Sequence, residues 1–401
     1  MLADKHIVLG VTGGISVYKM CTAVRLLKKA GAQVRVLMTR AATEFVTPLT
    51  FSTLSQEEVT VSLWPADPHG STDRGVKHID LGLWADAMLV APATANTIAH
   101  LAHGAAEDVI TSTVLALRAP LVIAPAMDVD MWEHPATQAN IALLKERGHF
   151  IIPPESGELA SGLTGAGRLP EPDVIVAYLN DVLERTPRDL TGRRILITAG
   201  PTHEPIDPVR FIGNRSSGKM GFALANAAAL RGADVTLVAG PVALGTPKNV
   251  RRIDVETAQQ MHDAVMDELP RHTVLIMAAA VADYTPVQVA EHKIKKLGSH
   301  AHGISLELRT TLDILHDVAE RKTEQTVIGF ALETANELEH AKQKLEKKKL
   351  DLIVLNSPND PGAGFGTDTN VVTLITREGN VTKLPRMPKF DVACAILDRL
   401  R

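Results

Sequence analysis

At 401 residues the chain exceeds what one ordinary hydrophobic core covers, so two domains of about 200 residues each are expected. Its 45% hydrophobic and 22% charged content is globular, and a net charge of −4 leaves no cation excess for a nucleic-acid backbone. The two cysteines, Cys21 and Cys394, lie far apart without metal-ligand spacing, and no apolar run approaches the roughly 18 residues of a membrane span.

The opening residues lack the basic, apolar and small-residue pattern of a signal peptide, so a cytoplasmic protein bound to neither nucleic acid nor membrane is expected. Ile7–Val11, Val34–Met38, Ala87–Ala91, Leu121–Ala124 and Phe150–Ile152 read as strands. Helical patterns at Ser16–Lys29, Asn96–His103, Asp108–Ala116 and Pro135–Arg147 lie between them. After the polar stretch Thr186–Gly192 the alternation restarts with strand Arg194–Ala199, helix Gly218–Leu230 and strand Ala233–Ala239. Further strands follow at Thr273–Ala278, Val327–Ala331, Leu352–Asn356 and Val371–Thr376. Strands alternating with helices imply parallel sheets covered on both faces. The expected architecture is α/β, with two three-layer domains at 1–187 and 188–401.

In the first half, Gly10–Ser16 joins the first strand to the first helix, where glycines and free N–H groups accommodate an anion. The spacing misses GxGxxG, which favours a mononucleotide such as a flavin over NAD. Thr39 and Ala91–Asn96 stand at other strand ends, and ligands of such sheets bind at those carboxyl ends. His78, one of 15 histidines, is by itself compatible with a structural role; the Met-rich loop Pro125–Trp132 adds weight to it. Together these segments resemble the homo-oligomeric flavin-containing cysteine decarboxylases over nearly all of residues 5–180. The resemblance implies FMN at Gly13, Ser16, Thr39, Thr94 and Asn96, a catalytic His78, and a substrate-carboxylate contact in the Pro-x-Met loop. It also implies a substrate-clamping flap at Glu158–Arg168. Two positions depart from the pattern: Asp128 replaces the loop's usual asparagine, and Ser161 the flap's proton-donating cysteine. A hydroxyl is a far weaker acid than a thiol of pKa roughly 8.5, so Ser161 is better suited to orienting a water than to protonating directly.

In the second half, Thr198–Arg210 leaves a strand and runs into Phe211–Gly221, where Ser216, Ser217, Gly218 and Lys219 stand at a helix start. This is a phosphate cradle without Walker spacing, although helix capping alone would account for either serine. Met277–Tyr284 ends a strand in small residues; its Asp283 suits a cation, a base edge or a simple cap. Lys293, in a basic loop, becomes a charge clamp beside a polyphosphate. These segments closely resemble phosphopantothenate–cysteine ligase over residues 190–400. That resemblance implies Asn214 as stabiliser of an acyl-cytidylate, Lys293 as assistant in its formation, and Mg²⁺ at Asp283. Nucleotide contacts are implied at Ser217, Gly218, Asp283, Lys293, Leu312, Asp313, Ile314, Leu315, Phe330, Lys344 and Lys348. Gly362–Gly366 reads as either a cover or a plain connector.

Fused in this order, the halves resemble the bifunctional coenzyme A biosynthesis family. The resemblance implies a flavodoxin-like half and a Rossmann-like half, and the substrates 4′-phosphopantothenate, L-cysteine and CTP. It further implies a homo-oligomer, a dodecamer built of trimers and dimers. The rival reading is a ligase whose flavin domain is an inactive scaffold.

Overall fold

The computed structural model describes residues 2–64, 76–295, 305–332, 337–356 and 366–400. The chain divides into two compact units, Met1–Pro187 and Arg188–Arg401. No helix among the described residues is long and apolar enough to cross a membrane.

The main sheet of the first unit contains β1 (His6–Val11), β2 (Gln33–Met38), β3 (Ala87–Ala93), β4 (Leu121–Pro125) and β5 (Phe150–Ile151), all paired in parallel. Their order, β2-β1-β3-β4-β5, is the flavodoxin-like one, with its switch point between β1 and β3. Alternate residues of β1 enter opposite cores: Leu9 packs with Val24 of the helix Val17–Lys29, and Val8 with Ile98 and Ile110. A strand buried on both faces must be apolar throughout, which explains its unbroken hydrophobic run. The helix Val17–Lys29 ends with Lys28 and Lys29 in its last turn, and Gly31 at φ +87° turns the chain back into β2.

In the second unit the sheet contains β6 (Arg194–Ala199), β7 (Asp234–Ala239), β8 (Val250–Asp254), β9 (Val274–Met277), β10 (Thr326–Leu332), β11 (Leu352–Asn356), β12 (Val372–Thr376) and β13 (Val381–Lys383). Its order is β8-β7-β6-β9-β10-β11-β12-β13, the Rossmann arrangement extended by an antiparallel edge at β12 and β13. The helix Lys219–Leu230 lies on one face, and Gly232, again at φ +87°, closes it as Gly31 does in the first unit. The fully buried Arg231 joins that turn to Asp189 at 2.7 Å and to Asp398 at 2.9 Å.

Several elements differ from the sequence reading. Pro48–Ser55 and Lys77–Trp84 are helices, so His78 sits on a helix that leads into β3. Strand β8 and the helix Ala258–Glu268 are additional elements. Gly218 is the cap of its helix rather than its first residue, and no side chain caps that end. Lys348 lies just past the helix Glu337–Lys347 that carries Lys344. Residues 362–365 of the glycine-rich segment lie outside the described residues.

Candidate functional site

Each unit gathers its polar residues at the carboxyl edge of its sheet, where strand ends leave backbone groups without ladder partners. In the first unit Thr12 joins two strand ends: its Oγ1 donates to Pro92 O at 2.6 Å and accepts from Thr94 N at 3.1 Å. Thr39 N donates to Val11 O at 3.0 Å, bringing the end of β2 beside the same turn. A Cβ on Gly13 would lie 2.5 Å from Ala41 Cβ, so only glycine lets these two turns meet. Ser16 precedes the first helix without bonding its amides, whereas Thr39 and Thr94 accept from Ala42 N and Thr97 N at 3.2 and 3.3 Å. Asn96 is exposed in the first turn of the helix Ala95–His103. A glycine-rich turn beside helix starts is a backbone arrangement that can accommodate an anionic group such as the phosphate of a flavin.

His78 stands six residues before Trp84, about 9 Å along the helix axis from its end. Its Nδ1 is buried without a hydrogen-bond partner among the described residues. Asp128 caps the helix Val129–Glu133 and accepts a short hydrogen bond from Ser161 Oγ. The two residues that depart from the family pattern are therefore partners. Ser161 lies at the tip of the hairpin formed by Glu155–Glu158 and Thr164–Arg168. Met127 N donates to Gly167 O at 3.0 Å, and a Cβ on Gly167 would stand 2.2 Å from Met127 O. The hairpin thus lies backbone to backbone against the loop that carries Asp128.

In the second unit, a cleft of about 1140 Å³ opens at the switch point between β6 and β9. Ala280 N donates to Gly200 O at 2.8 Å, Ala282 N to Thr202 Oγ1 at 2.9 Å, and Thr311 Oγ1 to Ala282 O at 2.6 Å. Asn214 Nδ2 donates to Ala280 O and Val281 O at 3.2 and 2.9 Å, fixing its loop against the end of β9. Gly200 and Gly218 adopt φ +81° and +74°, and a Cβ on Gly221 would approach Ala199 Cβ to 2.5 Å. They fill the tight-turn, close-approach and helix-packing roles of a Rossmann glycine triplet, split here by residues 201–217. Because Gly218 offers no capping side chain, the first N–H groups of a 12-residue helix remain open to the cleft.

The expected residues Asn214, Ser217, Gly218, Asp283, Leu312–Leu315, Phe330, Lys344 and Lys348 all line this cleft. Asp283 is exposed, and no described residue bonds its carboxylate. An exposed carboxylate is a hard oxygen donor of the kind that could hold a divalent cation. Lys344 Nζ donates to Phe330 O at 2.9 Å, and Lys348 forms a short ion pair with Asp313. Burial pushes the Asp313 carboxyl up, but Lys348 and the His316 amide outweigh it and hold the group below its ordinary value. Lys293 is not brought to the described lining; it is exposed beside Ile294, whose amide and carbonyl are held by Asp207 and Arg210. Those bonds, Arg210 foremost, hold the Asp207 carboxyl well below the usual range. Sequence reasoning missed Asn356, Asn370 and Lys389 in the lining, because each stands alone at the edge of an apolar element.

Residues 190–401 match the family described as the DNA/pantothenate metabolism flavoprotein C-terminal domain, and residues 1–184 match the flavoprotein family. A coenzyme A biosynthesis bifunctional protein CoaBC of Bacillus subtilis is 46% identical over 100% of this chain and 97% of its own. The chain belongs to the bifunctional coenzyme A biosynthesis family. Another member, from Haemophilus influenzae, is 46% identical over 100% of this chain and 98% of its own. A cysteine/cysteine sulfinic acid decarboxylase from an unknown prokaryote is 48% identical over 88% of this chain and 98% of its own.

Proposed function

We propose that this member of the family performs two consecutive steps of coenzyme A biosynthesis, ligation in 188–401 and decarboxylation in 1–187. The observation that carries the reading is one chain with a cleft at the switch point of a Rossmann sheet and a separate flavodoxin-like site. In the first step the 4′-phosphopantothenate carboxylate attacks the α-phosphorus of CTP, releasing pyrophosphate, and the cysteine amine then displaces CMP. A carboxylate is a poor acyl donor because oxide leaves badly; cytidylylation supplies a good leaving group. The open start of the helix Lys219–Leu230 suits the negative charge of the nucleotide, together with Ser217 and Gly218. Asn214 holds the intermediate, and its amide hydrogens reach a ligand by exchanging a carbonyl they now bond. Lys344 and Lys348 bond Phe330 and Asp313 in the cleft wall, and Asp283 would hold Mg²⁺, which would supply charge neutralisation for the nucleotide. Lys293 assists once its loop moves from the exposed position it occupies.

The decarboxylation acts on the cysteine carboxyl of the ligated product. Gly13, Ser16, Thr39, Thr94 and Asn96 would hold FMN, which would supply the reversible two-electron redox chemistry that loss of carbon dioxide from an unactivated carboxylate requires. His78 offers its unpaired Nδ1 to the substrate, and Ser161 bound to Asp128 keeps the hairpin tip over the bound carboxylate. Because Ser161 donates to Asp128, one oxygen of that carboxylate is already engaged within the protein.

We assign the family's homo-oligomeric state, a dodecamer of trimers and dimers, to exposed apolar side chains such as Ile15 and Leu49 in one unit and Phe211 and Tyr284 in the other. Light scattering on the purified chain measures it. Product masses from phosphopantothenate, cysteine, CTP and Mg²⁺, with each omitted in turn, test the chemistry. The expected outcome is yellow protein that makes 4′-phosphopantetheine only from the full set. Colourless protein stopping at phosphopantothenoylcysteine would establish the inactive-scaffold reading, and carbon dioxide from cysteine alone would move the function toward the third relative.

A further inference from the structure

Asn356 is the last residue of β11 and lines the cleft with Asn214 and Phe330. Its Oδ1 is buried and accepts no hydrogen bond from the described residues. Folded proteins leave few such oxygens unpaired, because losing water without gaining a donor is destabilising. Strand register gives the oxygen its direction. Phe330 pairs with Val354 and Leu332 with Asn356, so Phe330 and Asn356 share one face of the sheet. That face also carries the helix Lys219–Leu230, whose Phe222 and Leu224 pack in the same core as Val354. The unpaired acceptor therefore stands on the side of the cleft where the phosphate-directed helix begins.

Phosphates and carboxylates present only acceptors and cannot satisfy this oxygen. The substrates also carry ribose hydroxyls and the hydroxyl and amide N–H of 4′-phosphopantothenate, but the donors whose capture would set nucleotide choice or nucleophile position are two amines: the 4-amino group of cytosine and the α-amino group of cysteine. A neutral amide oxygen suits both. It distinguishes an amino from a keto pyrimidine, and it holds an amine without stabilising the unreactive ammonium as a carboxylate would. We propose that Asn356 is a substrate-binding residue of the ligase cleft whose side-chain carbonyl accepts a hydrogen bond from a substrate amino group. The inference rests on the ligase reading above.

The test uses the full chain with Asn356→Leu, which removes the oxygen at similar volume, and Asn356→Gln, which retains a neutral amide acceptor. Pyrophosphate release without cysteine reads the first half-reaction, and amide formation reads the second. Asn356→Leu is expected to lower kcat/KM roughly 10- to 100-fold for one amine-bearing substrate, with Asn356→Gln nearer to wild type. Slowed pyrophosphate release with lost preference for CTP over UTP assigns the contact to cytosine. Unchanged pyrophosphate release with a raised KM for cysteine assigns it to the α-amine. Since the oxygen has no partner in the ligand-free protein, Asn356→Leu should melt no lower than wild type. Unchanged half-reactions, equal impairment of both variants, or a loss that tracks a lowered melting temperature each overturn the proposal. A wild-type chain that ligates nothing sinks the ligase reading itself, whereas an active wild type with an unaffected leucine variant sinks this inference alone.

Discussion

A Cβ added at Gly221 would stand 2.5 Å from Ala199 Cβ and 3.0 Å from Thr198 O, atoms of a strand that cannot retreat from its sheet. Helix propensity argues the other way, since alanine gains about 1 kcal/mol over glycine inside a helix. Overpacking a fixed contact costs roughly 1–3 kcal/mol, and at this distance the steric term prevails. Gly221→Ala is therefore expected to lower the melting temperature and weaken CTP binding together, because the displaced turn is the one that opens on the cleft. Gly14→Ala is the internal contrast: its Cβ would meet nothing within 4 Å, so stability should change by no more than about 0.5 kcal/mol. Thermal unfolding and nucleotide titration of the two variants check the pair. Equal behaviour would mean that the glycines act through chain flexibility rather than through close approach.

At the scale of elements, the hairpin of Glu155–Glu158 and Thr164–Arg168 adds a side-chain contact at its tip to the backbone packing at its base. Ser161 Oγ donates to Asp128 Oδ2 and accepts from Leu163 N at 3.3 Å, coupling the turn both to itself and to the loop below. Ser161→Ala removes a charge-assisted bond, and decarboxylation of supplied phosphopantothenoylcysteine is expected to fall roughly tenfold or more with ligation unchanged. An unaltered rate would show that backbone packing at Gly165 and Gly167 suffices to seat the hairpin. This pairing was not legible in the sequence, where the two residues, 33 positions apart, read as separate departures from one pattern. Doubly buried strands such as β1 were legible because burial on both faces demands unbroken apolar runs. Strand β8, with Arg251, Arg252 and Asp254 on an exposed edge, carries no such signal. The helix Ala258–Glu268 did carry one, the reciprocal Thr257–Gln260 capping box, which hydrophobic periodicity alone overlooks. The glycine triplet was hidden by the insertion of residues 201–217, although its packing logic is intact.

For the whole molecule, every residue assigned to ligation lies in Arg188–Arg401 and every residue assigned to decarboxylation in Met1–Pro187. Neither set borrows a side chain from the other unit, so the two chemistries should separate by mutation. Asn214 is the sharpest place to divide them. Its Nδ2 bonds two carbonyl oxygens at the end of β9, and Asn214→Asp replaces that donor by a carboxylate facing the same carbonyls. The new charge repels both the carbonyls and the nucleotide phosphates, so ligation should be lost with little change at the flavin site. Decarboxylation of supplied phosphopantothenoylcysteine and the flavin absorbance should persist at wild-type levels. Simultaneous loss of both, in a protein that still binds flavin and melts normally, would therefore require an active-site contribution passed between the units or between copies of the chain.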